Sequence, residues 1–150
     1  MKTIKNLILV LATCSLGFTV TSCNSDDVYN EKHPNYGYFE AKMISVNQDS
    51  IQPVNFATSI KILHERINSC DEIIEVRKLD ASKYPQNDSV ISLAIYGAAY
   101  ANPNCQPVIN TDELNYKYTP TKSGRHTIRV WAGKDLNNRD SFIEYSLDIQ

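Results

Sequence analysis

This 150-residue chain has little of what marks a nucleic-acid binder, a fibrous repeat or a membrane pump. Lys+Arg number 15 against 17 Asp+Glu, so no basic field exists to attract nucleic acid. Five glycines and six prolines are too few for collagen-like or low-complexity sequence. A mean hydropathy of −0.36 excludes a polytopic membrane protein. There is no G-x-S-x-G, H-E-x-x-H, S-x-x-K, P-loop or dinucleotide fingerprint, no C-x-x-C, and no internal repeat. The length allows one domain and is short for two.

What is present begins at the N-terminus. Lys2 and Lys5 precede Leu7–Val20, an uncharged run too short and too polar for a spanning helix, which needs roughly 20 apolar residues. A charged start and a short apolar stretch form the secretory signal pattern. The run ends Val20-Thr21-Ser22-Cys23, which resembles the bacterial lipobox. That resemblance implies cleavage after Ser22, a lipid on Cys23 and an acylated new N-terminus; each buried CH₂ adds about 0.8 kcal/mol of membrane affinity. Asn24-Ser25-Asp26-Asp27 is similar to the acidic export signal of Bacteroidetes lipoproteins, which implies the outer face of the outer membrane. Two acids and an intervening Asn are a partial match, so periplasm-facing anchoring stays open. Residues 1–22 are then a removed signal and 23–36 a lipidated tether, in which His33 reads as solvated. Loss of Lys2 and Lys5 leaves 13 basic against 17 acidic residues, a net charge of −4.

Of four cysteines, Cys14 leaves with the signal and Cys23 takes lipid. Cys70 and Cys105 remain, in a compartment where disulfides persist, and parity favours a bridge between them. On the loop-entropy account it contributes about 3–4 kcal/mol. No histidine lies at ligand spacing from either, so no metal is expected, and no cofactor.

Residues 37–150 read as strands separated by turn residues: Tyr38–Val46, Ser59–Arg66, Glu72–Leu79, Val90–Tyr96, Leu114–Thr119, Arg125–Trp131 and Phe142–Ile149. Ser59–Ile67 also fits helical spacing through Ile60, Leu63 and Ile67. The last two stretches make a hairpin when Trp131 is set opposite Phe142. Val130 then meets Ile143 and Ile128 meets Tyr145 on an apolar face, while Arg129 meets Glu144 on the wetter one. Seven strands over about 114 residues predict a single two-sheet antiparallel sandwich, all-β. The ending, Ser123 to Val130 followed by a polar loop and a last alternating strand, resembles the closing hairpin of immunoglobulin-like, fibronectin-like and cadherin-like domains. That implies an immunoglobulin-like sandwich. It departs from antibody domains in carrying His126 at the tyrosine-corner position.

Candidate functional residues follow from this register. Trp131 and Phe142 form an outward aromatic pair beside Arg129 and Glu144, suited to stacking on a sugar or anchoring a protein partner. The alternative is that a sheet edge, a loop or the Tyr84–Pro85 segment covers it. Asp135–Asp140 gathers oxygens of the kind calcium takes, but lacks the EF-hand glycine and distal Glu. Asp49-Ser50-Ile51 and Asp88-Ser89-Val90 resemble Bacteroidetes O-glycosylation sites, with Ser50 and Ser89 the acceptors. The expectation is a non-catalytic, lipid-anchored binding or accessory module with a glycan or envelope-protein partner. The alternative is a small envelope enzyme or enzyme inhibitor using His64 or His126.

Overall fold

Alternation of apolar and polar residues produces eight strands in the computed structural model, which describes residues 33–150. The signal 1–22, Cys23 and the tether up to residue 32 lie outside the described residues. The strands are β1 (Asn35–Phe39), β2 (Ala41–Ser45), β3 (Thr58–Asn68), β4 (Glu72–Lys78), β5 (Val90–Ala99), β6 (Pro107–Tyr118), β7 (Gly124–Lys134) and β8 (Asp140–Ile149). Among the described residues no helix is long and apolar enough to cross a membrane.

The strands form two sheets, an all-β sandwich. One sheet runs β2-β3-β6, antiparallel throughout. In the other, β8 pairs β7, and β5 lies at the centre. β4 takes one edge of β5; the other edge is divided, Val90–Leu93 going to β7 and Ile95–Ala99 to β1. Inward side chains of both sheets meet in one core. Ile60 and Ile62 of β3 face Leu93 and Ile95 of β5 and Ile128 and Val130 of β7, all fully buried. Each such side chain contributes about 1.5–3 kcal/mol.

The β7–β8 hairpin has the expected register, Trp131↔Phe142 through Thr127↔Ser146. Other expectations are corrected. Tyr38–Val46 is two strands in different sheets, because the chain crosses between sheets at Glu40 and a bulge between Ala41 and Met43 breaks the alternation. Division of that stretch brings the expected count of about seven strands to eight. β1 begins at Asn35, where Asn35 and Tyr36 pair with Ala99 and Ala98. The Ser59–Arg66 strand is present as expected, within β3 and paired on both sides, and the helical alternative for Ser59–Ile67 falls away. β6 begins at Pro107, seven residues before Leu114, because strand pairing to β3 holds 107–113 extended although its apolar residues, Pro107, Val108 and Ile109, are consecutive and make no alternating stripe. Finally, one pairing within the antiparallel sandwich is parallel, Val90↔Thr127 to Leu93↔Val130.

Two cross-links tie the sheets at opposite ends of β3. Beyond Asn68, Cys70 is bridged to Cys105 with Cα atoms 5.5 Å apart. At the other end, Tyr118 of β6 meets His126 of β7 across the core at 2.6 Å. The His126 Nε2–H donates to the Lys122 carbonyl at 2.9 Å, so in the neutral ring Nδ1 accepts from the Tyr118 hydroxyl. Where β1, β4 and β5 converge, Gly97 is required: a Cβ there would collide with the Glu72 carbonyl and the Phe39 ring.

Candidate functional site

The outward side chains of the five-stranded sheet are not a uniform polar layer. Period two sends Arg129 and Trp131 of β7, Phe142 and Glu144 of β8, Tyr36 and Tyr38 of β1, Tyr96 of β5 and Arg77 of β4 to this face. The rings form a row. Tyr36 stacks on Tyr96 at 6.2 Å, Tyr38 meets Tyr96 edge-on at 6.2 Å, and Tyr38 lies 6.0 Å from Trp131. Tyr36 and Tyr38 are 62% and 42% exposed, values that leave ring area open to a ligand.

Charged groups pin the rings. The Arg77 guanidinium sits 3.3 Å from the Tyr96 ring centre, and Arg129 sits 4.4 Å from that of Phe142. Arg129 Nε donates to Glu144 at 2.7 Å, and Arg77 lies 3.8 Å from Glu75. Beside Trp131, Asp140 accepts three bonds: Trp131 Nε1 at 2.9 Å, the Tyr84 hydroxyl at 2.6 Å and Lys134 at 2.6 Å. Lys134, then Tyr84 and Trp131, hold the Asp140 carboxyl down at about 2. The same bond to Asp140, with burial, pushes the Tyr84 phenol up to about 12.

The four residues expected from sequence, Trp131, Phe142, Arg129 and Glu144, do lie together, with Arg129 bridging Phe142 and Glu144. The Tyr84 segment lies over part of the pair: Tyr84 contacts Phe142 edge-on at 5.6 Å. It comes from a loop fastened to β5 by Ser92 Oγ donating to the Pro85 carbonyl and by the Gln86 amide donating to Leu79 and Ser92 carbonyls. Trp131 is therefore half-buried, with Tyr38 on one flank. Sequence reasoning missed Tyr36, Tyr38, Tyr96 and Arg77; it offered the Tyr84 segment as a cover for the pair, which it partly is, and Asp140 only as part of an oxygen-rich loop. The one local signal was Tyr36-x-Tyr38, the spacing of two rings on one strand face.

Other candidates lie elsewhere. His126 is 0% exposed with both ring nitrogens bonded. His64 is 4% exposed, its Nδ1 3.0 Å from the Glu40 carbonyl and its ring edge-on to Phe39. Its Nε2 is buried with no bonded partner in the protein. The two histidines sit toward opposite ends of the core: His64 on β3 pairs with Asp112 of β6, and His126 on β7 pairs with Leu147 of β8. His33 is exposed. Asp135 caps its own loop, accepting from the Asn137 and Arg139 amides and the Arg139 side chain. Those bonds lower the Asp135 carboxyl, the Arg139 amide foremost. Ser50 lies in a 3-10 turn (Gln48–Ser50), its hydroxyl donating to the Asn47 carbonyl at 2.8 Å; Ser89 immediately precedes β5. Among the described residues no group of three or more His, Cys, Asp or Glu is placed to hold a metal ion.

No family model, curated protein or solved structure matches this chain.

Proposed function

We propose that this chain is a lipid-anchored, non-catalytic binding module of the bacterial envelope, taking glycan on the outer face of its five-stranded sheet. The observation that carries the reading is the row Tyr36–Tyr96–Tyr38–Trp131, continued through Asp140 to Tyr84 and Phe142, on one open face. Rings held by cation–π contacts and by Asp140 lose little freedom when a ligand arrives, so binding costs less entropy. Planar donors and acceptors (Arg77, Arg129, Glu75, Glu144) stand beside the rings, and hydroxyl groups take such partners while the C–H faces of a sugar lie on the aromatics. A lipid on Cys23, with cell-surface display, supports the same reading, since a module held at a membrane meets envelope or environmental polysaccharide directly. We infer an immunoglobulin-like type for the sandwich from its closing β7–β8 hairpin, with the parallel β5–β7 pairing as its departure.

Tyr38→Ala and Trp131→Ala are expected to weaken retention on polysaccharide gels about tenfold or more each, with cooperative unfolding kept. Retention equal to the parent chain overturns the glycan reading and directs attention to a protein partner. Cys23→Ser is expected to move the chain from the membrane fraction to the soluble fraction; persistence in the membrane refutes the anchor.

A further inference from the structure

Every open sheet offers edges, and this sandwich defends most of them. β2 is five residues long and bulged between Ala41 and Met43; β4 is seven and bulged between Ile73 and Glu75. At the C-terminal end of β8, the segment that follows β2 comes against the strand, with Val54 N–H donating to the Gln150 carbonyl at 3.2 Å just past it and Gln48 bonded to the Tyr145 hydroxyl. β6 is different. It is twelve residues long and regular from Asn110 to Tyr118, and it closes its sheet with β3 on one side only. Among the described residues no hydrogen bond from another segment reaches its backbone on the far side. A long, regular, uncovered edge is a template for another strand.

The side chains of β6 specify which strand. Thr111, Glu113, Asn115 and Lys117 are exposed on the solvent face; Leu114 and Tyr116 lie partly buried on the core face. Consider a second β6 running antiparallel about a two-fold axis through Asn115. Glu113 then opposes the partner's Lys117 twice, Thr111 opposes the partner's Thr119, and Asn115 opposes itself. On the core side Leu114 opposes the partner's Tyr116 twice. Moving the axis one residue either way loses both Glu113–Lys117 pairs, and moving it two sets Glu113 against Glu113 or Lys117 against Lys117, like charges that are unfavourable directly across a ladder. We propose that β6 is a self-association edge that joins two copies of this chain, register Asn115 to Asn115, into a continuous six-stranded sheet. The aromatic faces, on the other sheet of each copy, stay free, so the pair is bivalent for any ligand those faces take.

Cysteine cross-linking in the full chain tests the register. Residues opposed across an antiparallel ladder have Cα atoms about 4.5–5.5 Å apart, within disulfide range. Asn115→Cys is expected to convert most of the chain to a species of doubled mass under mild oxidation, read against the parent chain. Lys61→Cys, on the same solvent face but one strand in, is expected to stay at parent level. Thr111→Cys and Thr119→Cys chains should cross-link when mixed and not when alone, a result that does not depend on the Asn115 variant folding well. In the Asn115→Cys background, Glu113→Lys should lower dimer yield and Glu113→Lys with Lys117→Glu should restore it. Asn115→Cys yield no greater than the parent or Lys61→Cys overturns the proposal, as does a cross-linked mass that is not twice that of the chain.

Discussion

The two sheets share one core and obey the same period-two rule, yet their outer faces differ in kind. On the three-stranded sheet the outward layer mixes polar contacts, Lys61 with Glu113 at 2.8 Å and Ser59 with Asn115 at 3.3 Å, with separate aliphatic chains such as Met43 and Ile109. Such pairs are half-exposed and contribute about 0–1 kcal/mol each. On the five-stranded sheet the outward layer is rings and guanidinium planes locked against each other. Alternation decides only which residues face out; what they are decides whether the face is merely wetted or can bind. The contrast also explains where each sheet is open: one across its face, the other along its β6 edge.

The largest way to break this contrast is Gly97→Ala. An added methyl there collides with the Glu72 carbonyl and Phe39 and forces β1 or β4 away from β5, which disperses Tyr36, Tyr38 and Arg77. The expected loss is about 1–3 kcal/mol by denaturant titration, with ligand retention falling in parallel; an unchanged midpoint would remove Gly97 as the keystone of that face.

Acid sharpens the contrast by addressing one side of it. Asp140 titrates at about 2 in the folded chain, below its unfolded value of about 3.9. A depressed carboxylate contributes stability that is full above about pH 4 and is lost as pH falls toward 2. Thermal midpoints should therefore drop between pH 4 and 2 more steeply in the parent than in Asp140→Asn. Equal slopes would show that Asp140 does not carry the link between Trp131, Tyr84 and Lys134.

The smallest effect is expected on the opposite face. Lys61→Ala removes a half-exposed ion pair and should change stability by less than about 0.5 kcal/mol, read in the same denaturant titration. A loss comparable to that of Gly97→Ala would mean the two outer faces are not energetically distinct.

The closing hairpin was legible residue by residue, because Arg125–Trp131 and Phe142–Ile149 both alternate and their cross-strand pairs agree in charge and polarity in only one register. The Cys70–Cys105 bridge was legible by parity. β6 was half legible: Leu114, Tyr116 and Tyr118 alternate, but 107–113 shows no stripe, being held by pairing to β3 and not by its own burial. The break at Glu40 was hidden because Phe39 and Ala41 on either side of it both point inward, so the alternation runs on through the change of sheet and slips only at the bulge beyond Ala41. Of the aromatic face only the Trp131–Phe142 end was visible, since those two residues are neighbours across a hairpin. Tyr36, Tyr38, Tyr84 and Tyr96 reach it from two other strands and a loop.

By itself the sequence determined the all-β class, the hairpin register, the disulfide partners and which side chains of β7 and β8 point outward. Those follow from local periodicity and from pairs across a single turn, where each residue's neighbours are set by chain spacing. Tertiary structure alone decided that β1 and β2 part into different sheets, that β5 divides one edge between a parallel and an antiparallel neighbour, and that six aromatic rings converge. Those outcomes depend on which distant strands lie side by side, and burying one shared core between two sheets is what selects that arrangement.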